Sequence, residues 1–513
     1  MTTAYTHHHD IRPLDPALER IVAAADAAAP ELADQEPRRR GAALAAVADA
    51  LEAHAEELVQ IAQEETGLTT GRLQGELKRT AVQLRLFADV IVDGSYLDVR
   101  IDRADGEFVL GARPDLRRTK LPVGPVVNFA ASNFPFAFSV AGGDSAAALA
   151  AGCPVIVKAH PGHPRLSLRT GELVTAALEA SGMPAGVFSV IEGQEAGTAV
   201  LQDPRIRAGA FTGSVRVGRL LADIAASRPQ PIPFFGELGS TNPVFVTQQA
   251  VQTRADDLVS GFVTSVAGSA GQLCTKPGFV FLPEGHGLEE RIVQAVEDSN
   301  ASLGEQRLLN PAIASGYNAR RETTLGARGV RTVVAGESRT DGDDQGWTTP
   351  TIVAVSLEEL RAQREELLEE TFGPFSVLVE VPRGSDLAAL VYEFFTGSLT
   401  VTLQTGDAEV SDELRSLVAA ASDVAGRLLY GGWPTGVAVT PAQQHGGPWP
   451  ATTNDSSTSV GTAAISRFLR PVAYQSVPDA LLPPMVRDAN PWDVPQAIDE
   501  AGGSKTWGSR ASA

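Results

Sequence analysis

An α/β fold built on a parallel sheet is what the sequence predicts, and three observations predict it. From Leu121 onward, short apolar runs alternate with helical stretches: strand 123–130, helix 135–151, strand 153–158, helix 166–181, then strands 186–191 and 208–211. The strands are apolar at consecutive positions, as in "VIVK" at 155–158, which is the pattern of strands covered on both faces. Small-residue turns stand directly after several of them, where such sheets place their ligands. At 513 residues the chain exceeds one core, so two or three domains are expected.

Taken in order, 36–67 reads as one long Ala-rich amphipathic helix and 72–92 as a second, both serving to pack. Between Leu97 and Lys120 the pattern turns to short, charged, extended pieces, a strand excursion whose partner is expected near the C-terminus. The alternation then follows, and a helical run at 256–267 leads into "GSAGQLCTKPG" at 268–278. Residues 479–513, rich in Gly, Ser and Pro, carry no usable motif and suggest partial disorder.

Composition narrows the function classes. With 43% hydrophobic and 20% charged residues the chain is globular, and no apolar run is long enough to span a bilayer. The start lacks a secretory core, so the expected address is cytoplasmic. His7, His8 and His9 read as a solvated tail, since no second cluster accompanies them to make a metal site. Only Cys153 and Cys274 are present, which argues against a disulfide framework. The net charge of −20 repels nucleic acid and anionic membranes. An anionic small molecule would need a local positive site.

Several residues carry candidate chemistry. Cys274, among glycines that let the backbone approach a ligand, is a candidate nucleophile, and a thiol acts only as a thiolate, so donors or cations are expected beside it. Lys158 closes a buried strand, where an ammonium is costly without an anion. The Phe211-Thr212-Gly213-Ser214 turn opens a helix whose free amides suit a pyrophosphate, although Ser214 can equally be an N-cap. Glu237, flanked by glycines, is either a cap or a general base.

These residues fall into a recognisable order. "SNFP", "VIVK", "FTGS", "ELGSTNP", "GQLC" and "EETFGP" follow one another as in the aldehyde dehydrogenase superfamily, which the chain resembles from about residue 36 to 478. "KAHPGHP" and the stretch "GWPTGVAVTPAQQHGGPWPATTND" resemble its 2,5-dioxovalerate (α-ketoglutarate semialdehyde) dehydrogenases and their relatives that oxidise fatty aldehydes.

The resemblance implies a Rossmann-type dinucleotide domain over 1–98 and 121–240 and a catalytic α/β domain over 241–460. A β oligomerisation arm from 99–120 and 461–478 would join subunits as a homodimer or homotetramer, and 479–513 is left as a tail. It implies that Cys274 attacks the aldehyde, that Asn133 and the Cys274 N–H hold the oxyanion, and that Glu237, its pKa raised by burial, activates water. Lys158, Gly213, Ser214, Glu370 and Phe372 would meet the dinucleotide. His160 belongs with them, because "KAHPGH" offers no carboxylate to repel a 2′-phosphate, so NADP is expected, with NAD possible. Thr275, Lys276 and His445 are candidates for the substrate pocket, Lys276 for a substrate carboxylate, and no metal is expected. Rival readings are an inactive binding protein on this fold, a CoA-acylating dehydrogenase, and a cysteine hydrolase, which would need His445 or His286 as base.

Overall fold

The computed structural model describes residues 14–434 and 436–512. His7, His8 and His9 lie outside the described residues. The first parallel sheet has the order Phe188–Ile191, Val155–Lys158, Val126–Phe129, Ala208–Thr212, Phe234–Glu237. The chain starts in the middle, builds outward on one side, then returns to the other side of its first strand. That reversal opens a crevice at the carboxyl ends of Val126–Phe129 and Ala208–Thr212, the place where open α/β sheets receive ligands. Val126 and Val127 are fully buried, as expected for a strand covered on both faces.

A second sheet of seven strands has the order Arg331–Val334, Thr351–Ser356, Phe375–Val381, Phe279–Pro283, Val244–Val246, Ser398–Gln404, Ala425–Tyr430. All its pairings are parallel except that of the edge strand Arg331–Val334. Its core stacks Phe245 on Phe281, with Phe394 and Phe395 packed edge-on or tilted around them.

The excursion at 97–120 becomes two strands, Val99–Asp102 and Leu116–Pro122, and Leu116–Pro122 pairs antiparallel with Leu469–Gln475, so the partner does come from near the C-terminus. The residues after 479 are not disordered as expected. Gln496–Asp499 adds a fourth strand, parallel to Val99–Asp102. Leu482, Met485, Val486 and Val494 bury against Leu97, Val99 and Ile101, and Arg113 pairs with Asp499 at 2.8 Å. The tail carries enough apolar residues to cover the open edge of the arm, which is the reason it orders.

Three helical expectations need correction. The run at 36–67 is two helices, Pro37–Ala53 and Ala55–Thr66, because His54 leaves helical geometry (φ −110°, ψ 20°) with its Nδ1 2.9 Å from Ala50 O. The helix expected at 135–151 is confined to Gly143–Ala151. Gly143 sits at φ +53°, and a Cβ on Gly142 would overlap Phe136 O, so the preceding residues form turns instead. A helix outside the expectations, Pro16–Ala33, is started by Asp15, whose carboxylate accepts from the Ala17 and Leu18 N–H groups, with Pro16 in the first turn. No helix among the described residues is long and apolar enough to cross a membrane.

Candidate active site

The thiol sits where the two sheets meet. The helix Ala255–Ala267 ends at Gly268, and the short turn after it holds Ser269 and Ala270 at φ +53°. Gly271 follows at φ +63°, so close to Gly373 and Pro374 that any Cβ would overlap their backbone, which brings "EETFGP" against the thiol loop. The loop is then fixed by a residue that motif reading passed over. Asn242, fully buried and at φ +46°, reaches with Nδ2 to Cys274 O (2.7 Å) and Lys276 O (3.1 Å), while its Oδ1 accepts from Ser240 Oγ and the Thr400 N–H. Ser240 thus braces this clamp and also accepts from Leu399 N (2.9 Å).

Asn133 stands after the first strand of the first sheet, at the reversal, and its Nδ2 donates to Gln272 O at 3.0 Å. One amide hydrogen sets the orientation, which leaves the second for a ligand. The Asn133 loop is itself held from below: Glu76 Oε1 accepts from the Phe136 and Ala137 N–H groups, and Arg72 donates to Asn133 O.

Glu237 ends the strand Phe234–Glu237 and is 1% exposed. One carboxylate oxygen accepts from Ser459 Oγ, and the other lies 3.0 Å from His445 Nε2. The same His445 nitrogen lies 3.5 Å from Cys274 Sγ. His445, which the sequence assigned only weakly to the substrate pocket, therefore stands between the thiol and the carboxylate, while its buried Nδ1 has no partner among the described residues.

The electrostatics differ from expectation at both ends of this trio. Burial, together with the Glu237 and Glu370 carboxylates, pushes the Cys274 thiol well above its ordinary range, and the opposing Arg427 and Arg79 do not compensate. The thiol rests protonated. Burial alone would raise Glu237, but His445, the Ser459 hydroxyl and Arg467 outweigh it and hold the carboxyl below its usual value. Arg467 is itself buried in a 2.8 Å pair with Asp144.

The cofactor candidates line the crevice. Lys158 ends its strand with no hydrogen bond or ion pair among the described residues, and burial alone lowers its pKa. A cation in that state is ready for an anion. His160 does not face a ligand with its Nδ1, which accepts from Gly162 N (3.0 Å) and shapes the turn, and burial pushes it down to about 3. The neighbouring His163, unassigned from sequence, is buried and bridges Ala131 O (2.8 Å) to Ser167 Oγ (3.1 Å). Gly213 follows its strand directly, and Ser214 caps the helix Val215–Ser227 through Val217 N, with both residues open to solvent or nearly so.

Glu370 lies against the backbone of Gly239 and Ser240, where a Cβ on Gly239 would overlap its Oε2, and burial pushes its carboxyl up to about 7. Phe372 packs toward the core of the first sheet. Lys276 does not reach solvent and is spent elsewhere. It is 3% exposed, its Nζ donates to Phe375 O (2.6 Å), and its charge faces Glu370. Thr275 is buried beside it.

Two clusters among the described residues have donor atoms close enough for a metal. Glu237, Cys274 and His445 offer oxygen, sulfur and nitrogen within 4.8 Å, but these are the groups that face one another chemically as nucleophile and base. His286, Glu289 and Glu380 form the other, and Arg331 already bonds both of its carboxylates, which repels a cation.

Comparison with known proteins follows the same lines. The aldehyde dehydrogenase family matches over residues 15–394. The chain is 44% identical over 467 residues to alpha-ketoglutaric semialdehyde dehydrogenase 2 of Azospirillum brasilense, covering 90% of this chain and 87% of that one. It is 39% identical over 448 residues to the alpha-ketoglutaric semialdehyde dehydrogenase of Acinetobacter baylyi, covering 86% and 83%. An NAD-dependent aldehyde dehydrogenase structure from Sinorhizobium meliloti shares the fold with a TM-score of 0.72 at 22% identity, over 90% of this chain and 88% of that one.

Proposed function

The chain belongs to the aldehyde dehydrogenase family, and on that premise we propose that it oxidises 2,5-dioxopentanoate to 2-oxoglutarate with NADP, or with NAD, through a thioester on Cys274. The observation that carries the substrate is the 44% identity over nine-tenths of the chain to a protein of that activity. The chemistry is supported by the meeting of Cys274, His445, Glu237 and Asn133.

With its hydrogen on Nδ1, His445 leaves Nε2 open, and that nitrogen takes the Cys274 proton to form the imidazolium that Glu237 stabilises. The thiolate attacks the aldehyde carbon, and the oxyanion is received by the free Asn133 amide hydrogen and the Cys274 N–H. Bound NAD(P)⁺ supplies the hydride acceptor. Glu237, ionised and oriented by Ser459, takes the proton from the water that opens the thioester. Gly213, Ser214, Glu370 and Phe372 would hold the dinucleotide, and the unpaired Lys158 would hold the phosphate end. The arm sheet ends in the edge strands Leu469–Gln475 and Gln496–Asp499, and such edges support a homodimer or homotetramer, while the two free thiols support a cytoplasmic address.

Turnover of a panel of aldehydes with each cofactor and without CoA tests the reading. 2,5-Dioxopentanoate should give the highest kcat/KM, and a far higher value for decanal would replace it by a fatty aldehyde. Lys158→Ala should weaken NADP by about 10- to 100-fold while changing NAD far less, the worth of one charge-assisted contact. Equal weakening of both cofactors in a binding titration would remove the 2′-phosphate role. His445→Asn should slow the burst of reduced cofactor by about 10²- to 10⁴-fold without loss of NADP affinity. A burst at the wild-type rate in stopped flow would exclude proton transfer to His445.

A further inference from the structure

Two buried arginines near the thiol keep donors that no group among the described residues meets. Arg427 lies on the edge strand Ala425–Tyr430, opposite Thr400. Its Nε and one Nη are buried, and it makes no hydrogen bond or ion pair among the described residues. Thr400 in turn donates through its hydroxyl to Asn242 Oδ1, and Asn242 Nδ2 holds Cys274 O, so the strand of Arg427 runs beside the thiol loop; Cys274 is also the titratable group that acts on Arg427. Arg79, on the helix Thr70–Asp93, spends its Nε on Val437 O (3.2 Å) and leaves an Nη buried without a hydrogen-bond partner among the described residues. Its guanidinium stands 5.2 Å from the centre of the Phe138 ring, and the Phe138 ring stands 6.2 Å from that of His445. Arg79 is thus one phenyl ring away from the histidine that touches the thiol. Phe138 belongs to an apolar cluster with Ala131, Ala137, Val437 and Val460.

A buried guanidinium with unmet donors is expensive and persists where a ligand completes it. In a chain of net charge −20 an anionic substrate needs local cations, and these two guanidinium groups oppose part of the field of Glu237 and Glu370 around the thiol. Lys276, the other candidate, is already spent on Phe375 O and faces Glu370. An extended five-carbon chain places its carboxylate about 5 Å from the aldehyde carbon, by four bonds of about 1.5 Å.

We infer that Arg427, with Arg79, receives the distal carboxylate of the semialdehyde while its aldehyde carbon meets Cys274. This rests on the proposed substrate class and adds the residues that select it. A guanidinium suits the task because its fork binds both carboxylate oxygens, whereas a lysine offers a point charge.

The test compares 2,5-dioxopentanoate with pentanal, which matches its length and lacks the carboxylate. In Arg427→Met, the ratio of kcat/KM for dioxopentanoate to that for pentanal should fall by about 10- to 100-fold, chiefly through KM, with partial recovery in Arg427→Lys. Alkylation of Cys274 by iodoacetamide, which needs neither aldehyde nor cofactor, separates this role from thiolate tuning. Arg427 opposes the carboxylates that raise the thiol, so its loss should slow alkylation and the turnover of every substrate in step, and slowed alkylation with an unchanged substrate ratio would assign Arg427 to the thiol alone and overturn the carboxylate role. If Arg427→Met does not fold, Arg79→Met and Arg427→Lys carry the same comparison. An unchanged substrate ratio in these variants would overturn the inference. A wild-type enzyme that fails to oxidise dioxopentanoate would instead reject the proposed substrate, so the two failures are distinct.

Discussion

Replacing Cys274 by alanine is expected to abolish the burst of reduced cofactor and to lower turnover by about 10⁴-fold or more, the scale on which loss of a nucleophile is felt. No other group can take its place. Cys153 is the second thiol, but it is fully buried, donates weakly to Phe468 O at 3.4 Å, and is pushed by burial up to about 11. The variant should still bind NADP, because Lys158 and the Gly213-Ser214 turn belong to the first sheet and not to the thiol loop. Rapid mixing with excess NADP and aldehyde reads the burst directly. A burst near one equivalent in Cys274→Ala would remove the thiol from the mechanism, as would an acyl group found by mass spectrometry on Cys153 of the wild-type protein.

Glu237→Gln should fail at a later point. The thiol and its 3.5 Å contact with His445 remain, so attack and hydride loss proceed once. Hydrolysis then lacks its base. A burst close to one equivalent should be followed by a steady rate lower by about 10²- to 10⁴-fold, and the stalled protein should carry the acyl group on Cys274. Normal steady turnover in this variant would show that another group activates water. Added hydroxylamine, which opens thioesters without a base, should release the stalled enzyme.

The two variants also divide the rivals. A CoA-acylating enzyme would not need Glu237 to turn over in the presence of CoA, and an inactive binding protein would give no burst at all. His445 does touch the thiol, as a cysteine hydrolase would require, but hydrolysis of an ester needs no dinucleotide. Family membership and the waiting cation at Lys158 favour the oxidative use of the same trio.

The alternation of apolar strands and helices after Leu121 determined the parallel sheet, because consecutive burial within one strand is a local property of the residues themselves. Cys274, Glu237 and Asn133 were legible for a similar reason: each stands beside a turn that its neighbours specify, with Gly271 before the thiol, Gly236 before the base, and Pro135 after the amide. Folding alone decided what those groups meet. His445 lies 171 residues from Cys274 in the chain, and only the arrangement of the two sheets sets its nitrogen between the thiol and Glu237. The same holds for the strand Gln496–Asp499, whose partner Val99–Asp102 is distant in sequence. The directions of the pKa shifts were likewise undecided until the structure formed. Burial alone predicted a raised Glu237, and the arrival of His445, Ser459 and Arg467 around it reversed the sign, since a group's charge state answers to every neighbour in space and the sequence states only the neighbours in line.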